Sequence, residues 1–224
     1  MNHKILGGNF PVVLFDLDAG ESIKCQAGGM AWMDSCIKMG TKGGGLGKMI
    51  GRKVTGESAF QNVYTATAPG QIAVGASMPG EILAVNIYPG CEIVAQKGSF
   101  LASEMSVNMS TFFQKKLGTA LFGGEGFVMQ KYSGQGTVFV EVDGSSMKFY
   151  LHEGEQMVIE TGYLVMMDST CSINVVGIKG LKNIALGGEG LFNTVITGPG
   201  NVILQSMPMN AWARRTAEIT PKKK

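Results

Sequence analysis

Histidine is nearly absent from this sequence of 224 residues, which contains only His3 and His152. A Ser-His-Asp or Cys-His catalytic pair would have to use one of these two residues. A zinc site of ordinary composition is equally difficult to assemble from them. The sequence therefore argues against nucleophilic hydrolysis and against a histidine-ligated metal.

Charge, cysteine motifs and long apolar runs are also scarce. Charged residues make up 16% of the chain and sum to +2, which does not by itself indicate a nucleic-acid partner. The four cysteines form no Cys-x-x-Cys pair, so we expect small buried side chains in a reducing compartment. The longest early apolar run, Val12 to Phe15, is far short of a membrane span, and no signal peptide is recognisable. These features predict a cytoplasmic protein without a transmembrane segment.

Glycine and apolar residues are abundant instead. The chain has 33 glycines, and 45% of its residues are hydrophobic. This composition supports a substantial core and indicates many short strands joined by tight turns. We expect an all-β fold.

Three segments of the chain align without gaps, which points to an internal repeat of about 65–70 residues. Each segment has alternating apolar residues, a glycine in a turn, and a second glycine eight positions later; the pairs are Gly20/Gly28, Gly90/Gly98 and Gly154/Gly162. Alternation predicts half-buried strands before the turns, with these residues facing inwards: Phe15 and Leu17, Val85 and Ile87, Phe149 and Leu151. We expect every one of these glycines to supply a positive φ for its turn.

A second block repeats downstream over residues 56–74, 124–140 and 188–204, with Gly70, Gly136 and Gly200 at equivalent positions. Together the two blocks predict a single compact domain over residues 1–224, with repeats at about 8–76, 80–143 and 144–207 around a pseudo-threefold axis. Between the blocks lie variable inserts. The second insert predicts a short helix near 110–117, capped by Ser110 and ended by Gly118, and residues 214–224 are expected to form a basic tail.

These glycine-rich motifs resemble a known family. The Gly-Gly-x-Gly stretch in the first insert, the Gly-Glu pairs at Glu57, Glu125 and Glu189, and the Pro-Gly turns resemble the altered-inheritance-of-mitochondria family over roughly residues 5–213. The resemblance implies three β-rich repeats with a fold like the trp RNA-binding attenuation protein, similar to a double-stranded β-helix or a β-sandwich. It also implies relatives in bacteria and in mitochondria, where a role in inner-membrane organisation is assigned. It carries over no catalytic residue.

The first insert contains a basic, glycine-rich stretch that is a candidate anion or ligand contact through Lys42, Lys48, Arg52 and Lys53. It is not a P-loop, because Met49 stands where Ser or Thr is required after Lys48. A flexible connection with a solvated basic face is the favoured interpretation.

The three repeat-equivalent carboxylates Glu57, Glu125 and Glu189 allow two interpretations. They could converge near the pseudo-axis to hold a metal or share a proton. Alternatively, each accepts hydrogen bonds from backbone N–H groups in a glycine-rich turn, which repetition favours. We therefore assign no metal, cofactor-binding or catalytic residue and expect no cofactor.

Partner contacts are less well indicated. The 15 methionines are typical of core packing, with an exposed binding patch as the alternative. Phe112 and Phe113 beside Lys115 and Lys116 indicate the buried side of the short helix, with a membrane-surface contact as the alternative.

The function expected from the sequence is that of a non-enzymatic scaffold or binding protein, associating with itself as a homo-oligomer or with another protein. Two alternatives stay open. One is binding of RNA or a small ligand in the manner of the attenuation protein, which salt-dependent RNA binding through Lys48, Arg52 and Lys53 would support. The other is an enzyme of unrecognised mechanism, which predicts a deep polar pocket.

Overall fold

The computed structural model describes residues 1–40, 61–115, 127–177 and 192–219. Most of them form antiparallel β-strands, so the all-β prediction is confirmed. A short first strand, β1 (Asn2–Leu6), precedes three successive groups of six strands. Group 1 comprises β2 (Val12–Leu17), β3 (Ser22–Gln26), β4 (Met30–Met33), β5 (Ile37–Gly40), β6 (Gln61–Ala66) and β7 (Gly70–Gly75).

The remaining strands belong to two further groups. Group 2 comprises β8 (Gly80–Ile87), β9 (Ile93–Gln96), β10 (Phe100–Glu104), β11 (Val107–Lys115), β12 (Phe127–Gly134) and β13 (Gly136–Asp143). Group 3 comprises β14 (Ser146–Leu151), β15 (Gln156–Glu160), β16 (Leu164–Asp168), β17 (Ser172–Gly177), β18 (Phe192–Thr197) and β19 (Gly200–Gln205). The last element is a helix, α1 (Met209–Ile219).

The described strands form four sheets, and the two larger sheets each combine strands from two groups. Sheet 1 has the order β1-β2-β7-β4, and sheet 4 has the order β15-β18-β17. Sheet 2 has the order β5-β6-β3-β10-β13-β8, and sheet 3 has the order β11-β12-β9-β16-β19-β14. Each group pairs its own strands in one pattern: first with sixth, third with sixth, second with fifth, and fourth with fifth.

Apolar side chains fill the spaces between successive sheets. One buried cluster, which includes Phe15 and Phe139, lies between sheets 1 and 2. A second, which includes Tyr132 and Val140, lies between sheets 2 and 3. A third, which includes Leu164, lies between sheets 3 and 4. Sheets 2 and 3 are thus covered on both faces, which explains why β13 is buried at six consecutive positions instead of alternating.

The duplicated turns bear out part of the glycine prediction. Gly20, Gly90 and Gly154 have φ values of 88°, 85° and 75°, as left-handed turn residues do. The prediction was wrong for Gly98 and Gly162, which lie inside 3-10 turns at Lys97–Ser99 and Thr161–Tyr163 and need no positive φ. The three-group strand order is compatible with duplication, but the pseudo-threefold axis stays a prediction. Among the described strands, groups 1 and 2 pair and groups 2 and 3 pair, whereas groups 3 and 1 do not.

The predicted helix near 110–117 is wrong over its described part. Residues up to 115 belong to β11, which pairs with β12 from Val107↔Gly134 to Lys115↔Phe127. The β-branched and aromatic run Thr111-Phe112-Phe113 suits a strand, and the ladder outweighs the capping signal of Ser110. On a strand, consecutive side chains face opposite sides: Phe113 packs against Phe127, while Phe112 is exposed. These aromatics therefore do not form one face of an amphipathic helix.

The C-terminal helix was missed. Residues 214–219, expected in a basic tail, belong to α1, and residues 220–224 lie outside the described part. The alanine- and arginine-rich sequence after Pro208 is a helix signal. The Met209 N–H donates to the Asp143 carboxylate at 2.9 Å, which anchors the first turn to β13. Within the described residues, no helix has the length and apolar character needed to cross a membrane.

Candidate interaction edges

The groups are joined by strand pairing at two internal junctions. At junction 1, β3 of group 1 pairs with β10 of group 2, and at junction 2, β9 of group 2 pairs with β16 of group 3. In each case the second strand of one group pairs with the third strand of the next. The two junctions are therefore built by the same rule.

The register of the two junctions is also the same. At junction 1, Ala102 lies opposite Cys25, Ser103 opposite Lys24, and Glu104 opposite Ile23. At junction 2, the pairs are Met166↔Ala95, Met167↔Val94 and Asp168↔Ile93. Ala102 and Met166 are equivalent within their groups, because their partners on the sixth strand are Phe139 and Ile203, each three residues after its strand's first glycine.

Buried polar side chains also connect successive groups near the junctions. Glu141 is 6% exposed, and its carboxylate accepts the Ser77 backbone N–H at 2.5 Å and lies 3.4 Å from Gln26 Nε2. Burial raises the pKa of Glu141, partly offset by the Ser77 hydrogen bonds. At junction 2 the neutral Gln205 takes this place: its Oε1 accepts the Asp143 N–H, and its Nε2 donates to the Gly162 carbonyl oxygen at 2.9 Å.

Two strands that are equivalent to junction strands have no described strand as partner on their outer edge. Among the described strands, β4 pairs only with β7, and β15 pairs only with β18. β4 is the third strand of group 1 and β15 the second strand of group 3, so they correspond to the two halves of a junction. We call these outer edges the β4 edge and the β15 edge.

The side chains at these edges are exposed where their counterparts are buried. Val158 on β15 is 62% exposed, whereas its equivalent Val94 is fully buried at junction 2. Trp32 on β4 is 52% exposed, whereas its equivalent Ala102 is fully buried at junction 1. Met33 beside Trp32 is exposed as well, as are Met147 and Phe149 on β14.

The two edges carry few of the features that usually protect an edge strand. Natural edge strands are blunted by charges, prolines or bulges that discourage pairing with another chain. β4 has a bulge between Met30 and Trp32, but β10 and β16 have the same bulge and are paired at the junctions. β4 reads Met-Ala-Trp-Met, with no charge and no proline, and β15 carries one charge, Glu160, at its last position. Both edges are chemically suited to accept another strand.

The site residues predicted from the sequence all lie outside the described residues. This applies to the basic set Lys42, Lys48, Arg52 and Lys53 and to the three glutamates Glu57, Glu125 and Glu189. Both sets stay predictions. Within the described ranges, His, Cys, Asp and Glu side chains form no group of three or more that could hold a metal ion. The two edges were not predicted from the sequence, because only the pairing between groups distinguishes β4 and β15 from their buried counterparts.

Comparison with known proteins places the chain among uncharacterised relatives. It is 31% identical over 222 residues to an uncharacterized protein of Streptococcus pyogenes serotype M6, covering 95% of this chain and 88% of that protein. A crystal structure of a Streptococcus pyogenes structural-genomics target matches with a TM-score of 0.82 and 26% identity, covering 98% of this chain and 99% of that one. The family model described as mitochondrial biogenesis AIM24 matches residues 3–207. This chain belongs to the mitochondrial biogenesis AIM24 family.

Proposed function

We propose that this protein is a non-enzymatic scaffold that assembles with further copies of itself through its two open sheet edges. The observation that carries the proposal is the exposure of the β4 edge and the β15 edge, whose equivalents are paired and buried inside the same chain. The internal junctions supply the template for an interface between copies. A scaffold needs a repeatable contact of this kind and no reactive centre.

The described neighbours of the two histidine rings are aromatic side chains. The ring of His3 lies edge-on to Phe139, with centroids 4.8 Å apart, and the ring of His152 lies edge-on to Tyr150 at 5.3 Å. Both imidazoles are therefore engaged with aromatic rings. The other polar clusters described above hold strands and groups together.

A charge placed on the β15 edge tests the proposal. We expect the unmodified protein to be larger than one chain by light scattering, and Val158→Asp to be a single chain. Val158 is exposed within one copy, so the substitution should leave the fold intact. In the assembly it would bury an unpaired carboxylate, which should raise the concentration needed for assembly about a hundredfold.

Aspartate is chosen because lysine is accommodated at the corresponding position of junction 1. There the ammonium of Lys24 donates to the carbonyl oxygen of Val107. The matched control is Val176→Asp, which places the same charge on β17, at the opposite edge of sheet 4. A single-chain mass for the unmodified protein at every concentration, or equal loss of assembly in both variants, would contradict the proposal.

A further inference from the structure

We infer that copies of this chain join head to tail, with β4 of one copy paired antiparallel to β15 of the next and Met33 opposite Val158. The inference rests on the proposed self-association and adds the direction and register of the contact. It is based on the strand order of sheets 2 and 3 and on the exposed side chains of β4, β14 and β15.

Sheets 1 and 4 are the two halves of one incomplete sheet. Sheets 2 and 3 each consist of the fourth, fifth and second strands of one group followed by the third, sixth and first strands of the next. Sheet 4 supplies the first half of this order, as β17-β18-β15, and sheet 1 supplies the second half, as β4-β7-β2 with β1 added. Joining β15 of one copy to β4 of another completes the pattern of sheets 2 and 3.

The register follows from the two internal junctions. The pair Met167↔Val94 at junction 2 is the model for the pair Met33↔Val158 between copies. Met33 is equivalent to Met167, because each pairs with the residue that lies two positions after the glycine that opens the sixth strand of its group. These partners are Ile72 and Val202. Val158 is likewise equivalent to Val94. The residue before each, Met157 or Ile93, pairs with the residue that lies four positions before the glycine that opens the next strand. These partners are Ile196 and Tyr132. Continuing this antiparallel register places Trp32 opposite Ile159 and Asp34 opposite Met157.

The sizes of the side chains in the row through Trp32, meaning Trp32 and its sixth-strand partner Ala73, fit this register. At junction 1 the third-strand residue Ala102 is small and its sixth-strand neighbour Phe139 is large. On β4 the sizes are reversed, with Trp32 beside Ala73. Each row combines one large and one small side chain, so a comparable volume fills the space between sheets.

The aromatic partner for this row is also present. At junction 1, Phe139 packs edge-on against Phe15 of β2, with centroids 4.9 Å apart. The residue of β14 in the position of Phe15 is Phe149, which is 39% exposed. Trp32 of the next copy would take the place that Phe139 has at junction 1. It would therefore cover Phe149 and the neighbouring Met147. One contact thus accounts for the exposed apolar residues of both edges.

A contact between unlike edges leaves each copy with a free β4 edge at one end and a free β15 edge at the other. Such heterologous contacts close into a ring or continue as a filament, depending on the rotation between copies. Pairing of like edges, β4 with β4 or β15 with β15, would instead stop at a dimer. The two arrangements are therefore separable by experiment.

Disulfide formation between variants that each gain one exposed cysteine, while the buried Cys25 and Cys171 are kept, tests direction and register together. Opposed residues of antiparallel strands have Cα atoms about 4.5–5.5 Å apart, which suits a disulfide. We would place Met33→Cys and Val158→Cys separately in a chain in which the half-buried Cys36 and Cys91 are serine. Mixing the two variants under mild oxidation should give a covalent dimer that neither variant gives alone.

The control for register is Gln156→Cys, two residues along β15 on the same face. It would lie diagonally from position 33, at about 7–8 Å, beyond the reach of a disulfide. The expected result is at least tenfold less dimer with Met33→Cys than Val158→Cys gives. Equal yields from positions 156 and 158, or a dimer formed by either Met33→Cys or Val158→Cys alone, would overturn the inference.

Light scattering on the same samples distinguishes a failure of the proposed register from a failure of the proposed self-association. Assembly without the mixed disulfide would overturn the head-to-tail register and leave the proposed scaffold function standing. A single-chain mass for the unoxidised parent would overturn both. Assembly together with the mixed disulfide, and little at position 156, is the result that supports the inference.

Discussion

Truncation of Phe139 to alanine is expected to lower the free energy of unfolding by about 3–5 kcal/mol. Phe139 is fully buried on β13 of sheet 2, and its ring contacts Phe15 and His3 across the space to sheet 1. The substitution removes the ring from the core between groups 1 and 2. Because both sheets are held by strand ladders on either side, the cavity cannot collapse fully.

Urea denaturation at one fixed protein concentration measures this loss, as a lower midpoint with an unchanged slope. The matched control is Phe10→Ala, which removes the same ring from a side chain that is 72% exposed and should change stability by less than about 0.5 kcal/mol. A change below about 1 kcal/mol for Phe139→Ala would show that the apolar core does not continue between groups 1 and 2.

Replacement of Glu141 by glutamine is expected to leave stability at pH 7 equal to or above that of the unmodified protein, and to flatten its dependence on pH. Burial raises the pKa of Glu141 in the folded state, with the nearby Asp143 carboxylate adding to the effect. A raised pKa means that the folded protein binds this proton more tightly than the unfolded chain does. The contribution of Glu141 to stability is therefore most favourable below its unfolded pKa and falls as pH rises through the folded value.

Glutamine keeps the oxygen that accepts the Ser77 N–H and removes the buried charge, as Gln205 already does at junction 2. The contrast is Glu141→Ala, which leaves that N–H without its acceptor and should cost about 1–3 kcal/mol. Denaturation midpoints between pH 4 and pH 8 test both variants. If Glu141→Gln is less stable than the unmodified protein at pH 7 by as much as Glu141→Ala is, the ionised carboxylate is a net stabilising group and the argument fails.

The alternation of apolar residues was enough to predict the strands but not the environment of each face. Phe15 and Leu17 are buried as expected, because sheet 2 covers them. Phe149 occupies the equivalent position in group 3 and is exposed, because no described sheet covers that side of β14. Apolar alternation with a period of two shows which residues share a face of a strand. Whether another sheet covers that face depends on the tertiary structure.

The interaction edges were beyond the reach of pattern analysis for a related reason. β9 and β15 each contain three consecutive apolar residues, yet β15 differs because its neighbour would come from another copy. Pairing between groups is a long-range property, and the residues of β4 and β15 contain no local sign of it. The missed helix is different, since the composition after Pro208 contained the signal. The short helix near 110–117 failed because the pairing of β11 with β12 outweighed a capping signal.

Making sheets 2 and 3 from two groups each also bears on how such a chain could lengthen or shorten. Removing the last group would leave β9 as the outer strand, with the same kind of side chains that β15 now presents, and adding a fourth would bury β15 and expose its successor. The ends of the molecule are therefore independent of how many units lie between them. Gene duplication could change the size of each subunit without redesigning the contact by which subunits meet.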